Sequence, residues 1–392
     1  MSTWPVQTFG GVFDVKYGKA LPQNQRRVGA QIPVVGSAGV MAYTDTALVR
    51  EPCLIIGRKG NVGQVHYHES GAWPTDTTFY VKLPASIDAR FLKYQLDHLN
   101  LRRLDSSTAT PSLRRQDLES QNLVLPEVAV QRRVFAILED HLSRLDAADR
   151  WLTDTERRIR AWMAGVSDSL IWRPNFAEVT VASVLREPMR NGRSDRASED
   201  GRGVRTLTLT AVTRNEFADE HTKVTVTSPE VAEGLWLEEG DIFVQRANTP
   251  DLVGTSARYS GPDKWAIFPD LLIRVRPDET VISSQFLNMA LRTERAHRSL
   301  RAHAKGLAGS MPKIDQKSVG NAVVPLPSMQ DQQRLVDTLE YAETGTRNLL
   351  NVSRAAARRS VALRRATLSA AFDGRLTGRR EDAEIIEELA DV

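Results

Sequence analysis

Two stretches of the chain, residues 130–172 and 330–372, run without a proline. At 1.5 Å of rise per residue each predicts a helix about 60 Å long. Every seventh residue of the first is apolar (Leu138, Leu145, Leu152, Ile159, Val166). In the second, Leu335, Ala342, Leu349, Ala356, Leu363 and Ala370 alternate large and small, with Leu339, Thr346, Ser353, Ser360 and Thr367 alongside. Seams sustained over five heptads predict a coiled coil, the large side chains of one helix seated against the small ones of the other. Ser328, three residues before Asp331, predicts a capping box at the second start, and Pro174 a stop after the first. Gly345 would cost about 1 kcal/mol relative to alanine and is a candidate bend.

Elsewhere the pattern is mixed. TLTLTA (residues 206–211) and TKVTVT (residues 222–227) alternate with period two and predict half-buried strands. FLKYQLDHL, from Phe91, has apolar residues at helical spacing, and a corresponding helix is expected near Phe286. GRKGNVG and YSGPDK read as turns.

VPLPSMQDQQRL (residues 324–335) echoes LVLPEVAVQRRV (residues 123–134). At an offset of 201, Pro111 meets Pro312, Leu125-Pro126 meets Leu326-Pro327, Gln131 meets Gln332 and Arg133 meets Arg334. Leu138-Glu139, Arg157-Arg158 and Ala161 likewise meet identical residues, making ten identities in 51 positions where composition gives roughly three. Upstream the offset shifts to 195, pairing Phe91-Leu92 with Phe286-Leu287 and Pro74 with Pro269. Earlier still, Arg58 and Gly63 resemble Arg246 and Gly254, and Gly18-Lys19 resembles Gly192-Arg193. The chain thus reads as two copies of a unit of about 200 residues, longer than any solenoid period.

Length fits two domains plus connecting elements. The 52 basic and 49 acidic side chains nearly cancel, and the pI near 9.0 leans only slightly toward a nucleic-acid partner. A single cysteine, Cys53, excludes a disulfide framework. No apolar run approaches the roughly 20 residues of a membrane span, so no membrane partner and a cytoplasmic location are expected. Catalytic signatures are missing: VVGSAGV has the wrong glycine spacing for a nucleotide loop, and no Walker lysine loop, G-x-S-x-G elbow or adenine-methyltransferase N-P-P-Y motif occurs. His66 and His68 lack a third ligand at suitable spacing, and Asp315-Gln316-Lys317 lacks the acidic partner of a nuclease D-x-K site.

Two similar globular segments, each followed by a long helix, resemble the specificity subunit of type I restriction-modification enzymes. The resemblance is carried by P-L-P…Q-x-R at residues 325–334, its earlier copy at 125–133, L-S-A-A-F-D-G-R-L at 368–376, and EGDIFVQRANTPDLVG at 239–254. The first copy departs from the pattern where GVSDSLIW (residues 165–172) replaces the A-F-x-G-x-L ending. The resemblance implies an α+β chain in which two target-recognition domains (1–130 and 174–330) alternate with two antiparallel spacer helices (131–173 and 331–377). A charged tail (378–392) follows, and the repeat implies a pseudo-two-fold. It implies a non-catalytic subunit that recognises a bipartite, asymmetric target on double-stranded DNA. Two methyltransferase subunits would bring S-adenosylmethionine, and motor-nuclease subunits would join for cleavage.

DNA reading needs Arg, Lys, Asn or Gln at groove edges and basic or amide groups at phosphates. The candidates in the first copy are Lys16, Lys19, Arg58, Lys59 and Asn61; in the second they are Arg190, Asn191, Arg193, Arg246, Asn248 and Thr249. Trp172, Phe372 and Leu376, at the helix ends, are the candidates for methyltransferase contact. The arginines between 354 and 380 suit a solvated helix face as well as they suit DNA. Competing readings are a related bipartite-site system without a motor subunit, an enzyme with divergent motifs, and a coiled-coil adaptor that binds only protein.

Overall fold

The computed structural model describes residues 4–105, 110–306, 311–376 and 382–390. The chain divides into two compact units, Met1–Asp154 with Ser353–Val392, and Thr155–Val352.

In the first unit, β5 (Cys53–Gly57) is buried along its whole length. That is why CLIIG is a continuous apolar run and not an alternating one. Its antiparallel neighbours are β6 (Val65–His68) and β8 (Thr78–Lys82), and β2 (Lys16–Tyr17) pairs with β8, giving the order β2–β8–β5–β6. On one face Leu54 and Ile56 pack with Leu92 and Leu96 of helix α2 (Ala89–Leu99). On the other, Cys53 and Ile55 pack with Val35 of a smaller sheet, β3 (Ile32–Gly36), β4 (Gly39–Thr44) and β7 (Trp73–Pro74). Helix α2 starts where Asp88 accepts the N–H groups of Arg90 and Phe91, and stops at Asn100 in the left-handed region. Strand β1 (Val6–Thr8) pairs with β9 (Asn122–Val124), and the short helices α1 (Phe9–Val12) and α3 (Arg115–Glu119) pack together beside them.

The second unit repeats this plan. Strands β11 (Arg190–Asn191), β14 (Ile242–Gln245), β15 (Ser256–Arg258) and β16 (Leu272–Val275) take the order β11–β16–β14–β15. Strand β14 is again buried throughout. Helix α6 (Ser284–Arg292), capped by Ser283, stands where α2 stands, and α7 (Glu294–Ala302) follows it. Strand β10 (Ala177–Thr180) pairs with β17 (Val323–Leu326), preceded by the short helix α8 (Gln316–Gly320). Asp315 is the N-cap of α8, accepting from Ser318 N–H at 2.8 Å, which accounts for the D-x-K string without any nuclease chemistry.

The alternating stretches divide differently from expectation. Strand β13 (Thr222–Thr225) pairs with β12 (Val204–Leu207), but TLTLTA leaves the sheet at Leu207 and turns into helix α5 (Leu209–Arg214). Ala211 and Val212 bury into a cluster with Phe243 and Tyr259, so tertiary contact overrides a short alternation.

The long helices are α4 (Val128–Ile171) and α9 (Met329–Phe372), each 44 residues. The Ser328 hydroxyl accepts the Asp331 N–H at 3.2 Å, one bond of the expected capping box, and donates to the Asp331 carboxylate at 2.7 Å in place of the reciprocal backbone bond. In the first unit Val134 and Leu138 pack on Ala366, Ala370 and Phe372, while Arg364 reaches Asp146 at 2.6 Å, so the helices run antiparallel there. In the second, Ile171 packs with Leu335, Val336 and Leu339.

The buried column of α9 is Leu339, Thr346, Ser353, Ser360 and Thr367, and not the column through Leu349, which is 58% exposed. Small side chains at the seam let two helix backbones approach closely, and leucine at those positions would hold them apart. Thr367 returns its hydroxyl to the Leu363 carbonyl, whereas the hydroxyls of Thr346, Ser353 and Ser360 are buried without a partner among the described residues.

The acidic tail is not wholly solvated. Residues 382–390 form helix α10 (Asp382–Ala390), whose Ile386 is buried beside Phe372 and Leu376 and whose Glu387 pairs with Arg359. Residues 377–381, with Arg379 and Arg380, and residues 391–392 lie outside the described residues.

An unpartnered buried hydroxyl destabilises, so Ser360→Ala is expected to raise stability by about 1 kcal/mol. Ser360→Leu, which overpacks the seam, should lower it by about 1–3 kcal/mol. Chemical denaturation of the full chain measures both, and equal effects of the two variants would contradict the close-packed seam.

Candidate nucleic-acid interface

The two central sheets present the same turn. After β5, Arg58 N–H donates to Thr77 O at 2.9 Å, Gly63 N–H to Gly57 O at 2.8 Å, and Leu113 N–H to Arg58 O at 2.8 Å. After β14, Arg246 N–H donates to Leu271 O at 2.8 Å, Gly254 N–H to Gln245 O at 2.9 Å, and Ile314 N–H to Arg246 O at 2.8 Å. Gly63 and Gly254 have φ of 76° and 83°, where a side chain is strained. The matches of Arg58 with Arg246, Gly63 with Gly254 and Leu113 with Ile314 are therefore structural equivalences.

The edge strands β2 and β11 lead into a second equivalent corner. Lys19 N–H donates to Pro74 O and Arg193 N–H to Phe268 O, each at 2.9 Å. A Cβ on Gly18 would lie 2.1 Å from Thr75 O, and one on Gly192 2.0 Å from Phe268 O, so only glycine fits either corner. These bonds pair Pro74 with Phe268, one position off the alignment of Pro74 with Pro269.

Equivalent backbones carry differently engaged side chains. Lys19, Lys59 and Asn61 are exposed and, among the described residues, make no side-chain hydrogen bond or ion pair. Lys16 lies 3.3 Å from Asp14. The Arg58 guanidinium lies over Tyr17, 5.1 Å from the ring centre. In the second unit Arg190 donates to Gly234 O at 2.8 Å, and Arg193 pairs with Asp195 at 2.7 Å. The Arg193 bond holds the Asp195 carboxyl below its ordinary range, helped by a bond from Thr227. The Asn191 amide lies 3.0 Å from that of Gln316, and Arg246 reaches Asp270 O at 3.4 Å.

Asn248 faces inward. Its amide nitrogen donates to Gln245 Oε1 at 2.5 Å and its oxygen accepts Thr249 N–H at 2.8 Å, so it shapes the turn. Thr249 itself is exposed.

The helix-end residues also fall elsewhere than expected. Phe372 and Leu376 are each 7% exposed, Phe372 meeting Phe91 edge-on, and the half-buried Trp172 donates its indole N–H to Thr293 at 2.9 Å. All three side chains serve this chain's own packing. The large apolar side chains left exposed on the long helices are Trp151 and Val361 in the first unit and Trp162, Met329, Tyr341, Leu349 and Val352 in the second. Tyr341, Leu349 and Val352, with Gly345, share one helical face.

Composition gave no sign of a cleft of about 310 Å³ lined by Arg26, Ser37, Met41, Asp76 and Thr77. Thr77 O supports the Arg58–Lys59 turn, and Arg26 Nε is buried without a partner among the described residues. These residues are far apart in sequence and meet only because β3 lies beside β7. His66 Nε2 donates to the Ser37 carbonyl at 3.3 Å, and His68 is held toward its neutral form by burial, then by His66.

Residues 1–150 match the family model described as Type I restriction modification DNA specificity domain. The type I restriction enzyme EcoEI specificity subunit of Escherichia coli is 27% identical over 143 residues, a match that takes in 36% of this chain and 24% of that relative. Among solved structures, a chain from work on complex assembly and conformational transition of the type I R-M system superposes with a TM-score of 0.76 at 15% identity, covering 96% of this chain and 99% of that one. The HsdS subunit from Thermoanaerobacter tengcongensis gives a TM-score of 0.52 at 16% identity, over 96% and 98% of the two chains. Among the described residues, no helix is long and apolar enough to cross a membrane.

Asn248→Ala should lower stability by about 1–2 kcal/mol, because it orphans the Thr249 N–H and the Gln245 oxygen. Lys59→Ala should change it by less than about 0.5 kcal/mol. Thermal unfolding of the two variants separates a turn-shaping side chain from an outward-facing one.

Proposed function

We propose, for a chain that resembles the specificity subunits of type I restriction-modification enzymes in sequence over residues 1–150 and in fold over nearly its whole length, that it reads a bipartite, asymmetric DNA target. The observation that carries this reading is the pair of equivalent basic turns on two sheets of identical strand order. Duplicated readers in one chain suit a split site, and because their side chains differ the two half-sites need not match. In the first unit Lys19, Lys59 and Asn61 supply outward-facing groups, with Arg26, Ser37 and Asp76 beside them as donors and acceptors for base edges. In the second, Arg190, Arg193, Arg246 and Thr249 line the equivalent corners, Arg193 exchanging Asp195 for phosphate on binding.

The chain in this reading does no chemistry. Methyltransferase subunits dock on the long helices, where Trp151, Trp162, Tyr341, Leu349 and Val352 leave apolar surface uncovered, and they bring S-adenosylmethionine with them. Motor-nuclease subunits complete the complex where cleavage occurs.

Binding of the methyltransferase complex to DNA should weaken steeply with salt. Lys59→Ala should reduce the slope of log affinity against log salt by about one. Arg246→Ala should relax one half-site by about 1–3 kcal/mol and leave the other intact, read by methylation mapping on a randomised target library. A complex whose affinity ignores salt and sequence would overturn the reading. So would turnover by the purified chain alone, with DNA, S-adenosylmethionine and magnesium, that a point mutation in this chain abolishes.

A further inference from the structure

Two glutamines that the repeat superposes, Gln131 and Gln332, are 1% and 0% exposed. Each sits on the first turn of a long helix and uses its whole amide. Gln131 Oε1 accepts the Asp88 N–H at 2.8 Å, and its Nε2 donates to Ser86 O at 3.2 Å and to Pro126 O at 2.7 Å. Gln332 Oε1 accepts the Ser283 N–H at 2.8 Å, and its Nε2 donates to Val281 O at 3.1 Å and Pro327 O at 3.0 Å. Asp88 and Ser283 are the N-caps of α2 and α6. In each copy one side chain therefore joins the start of the long helix, the proline that precedes it and the N-terminus of the helix backing the central sheet.

The chemistry of these contacts separates adhesion from alignment. Around each amide, Phe91 packs with Val134 and Leu138, and Phe286 with Leu335 and Leu339. Such apolar contacts are non-directional and tolerate sliding and rotation. Hydrogen bonds lose strength over a few tenths of an ångström and a few tens of degrees, so three on one rigid planar amide define an orientation. From there the path is short: α2 packs on β6 and α6 on β15, the strands that follow the basic turns.

We infer that Gln131 and Gln332 are positioning residues, a pair of polar clamps that fix the angle at which each DNA-reading sheet is mounted on its long helix. The clamps set the spacing between half-sites that the complex accepts and leave the bases read within each half-site to the turns. The inference rests on the bipartite-DNA reading above.

The test uses the full chain in its methyltransferase complex and duplexes whose half-sites are separated by the native spacer or by one base pair more or fewer. Gln131→Met and Gln332→Met keep the side-chain length and remove every bond. Each is expected to reduce the preference for the native spacer by about tenfold, with the half-site bases unchanged. A uniform loss of affinity at all spacers, with the preference intact, would show the glutamines to be merely structural and overturn the inference.

Gln131→Glu is the second variant, for the case that methionine does not fold. It keeps an acceptor for the Asp88 N–H but turns carboxylate oxygen toward two carbonyls. Protonation restores a donor, so the spacer preference should be present wherever the carboxyl is neutral and lost where it ionises; a preference lost at every pH, or kept at a pH where the carboxyl is ionised, overturns the inference. A wild-type complex indifferent to both half-sites at every spacer fails differently, since it removes the DNA reading itself.

Discussion

A helix of 44 residues with one apolar face cannot bury that face on a domain of ordinary size, and everything else in this chain accommodates that constraint. The solution is mutual cover. In the first unit the beginning of α4 lies against the end of α9, and in the second the end of α4 lies against the beginning of α9. Close approach requires one side of the seam to be small, which is why threonine and serine occupy buried positions that would otherwise favour leucine. Arg364, placed between Asp146 and Asp149, adds charge pairing beside an apolar seam and favours the antiparallel register.

Much of the architecture was legible because it rests on features that leave a linear trace. The long helices showed as proline-free runs. The glycine matches, Gly18 with Gly192 and Gly63 with Gly254, proved to be positions where a Cβ has no room or the backbone is left-handed. What misled was local pattern with too few residues to decide. TLTLTA has the period of a strand over six positions, yet its second half enters a helix held by burial of Ala211 and Val212. The heptad pattern of α9 places two columns at the seam, and burial selects the one through Leu339, Thr346, Ser353, Ser360 and Thr367, onto which the offset of 201 also carries Leu138.

The site was legible at the level of backbone and less so at the level of side chains. Position along a strand says where a turn projects, but not whether its arginine meets solvent or a neighbour. Asn248 and Arg190 hold the protein's own loops, and Trp172, Phe372 and Leu376, candidates for docking because they stand at the helix ends, are packed by this chain. The cleft around Arg26 and Asp76 is assembled from four separate segments and has no linear signature.

The second unit is one continuous stretch, Thr155–Val352, whereas the first needs residues from both sides of it. Phe91, Val134 and Leu138 lack part of their cover until Ala366, Ala370 and Phe372 have emerged from the ribosome, more than two hundred residues later. Synthesis from the N-terminus therefore completes the later-encoded half before the earlier one, and the nascent N-terminal domain must wait with an apolar flank in solvent. That interval leaves apolar surface open to association until the end of α9 emerges.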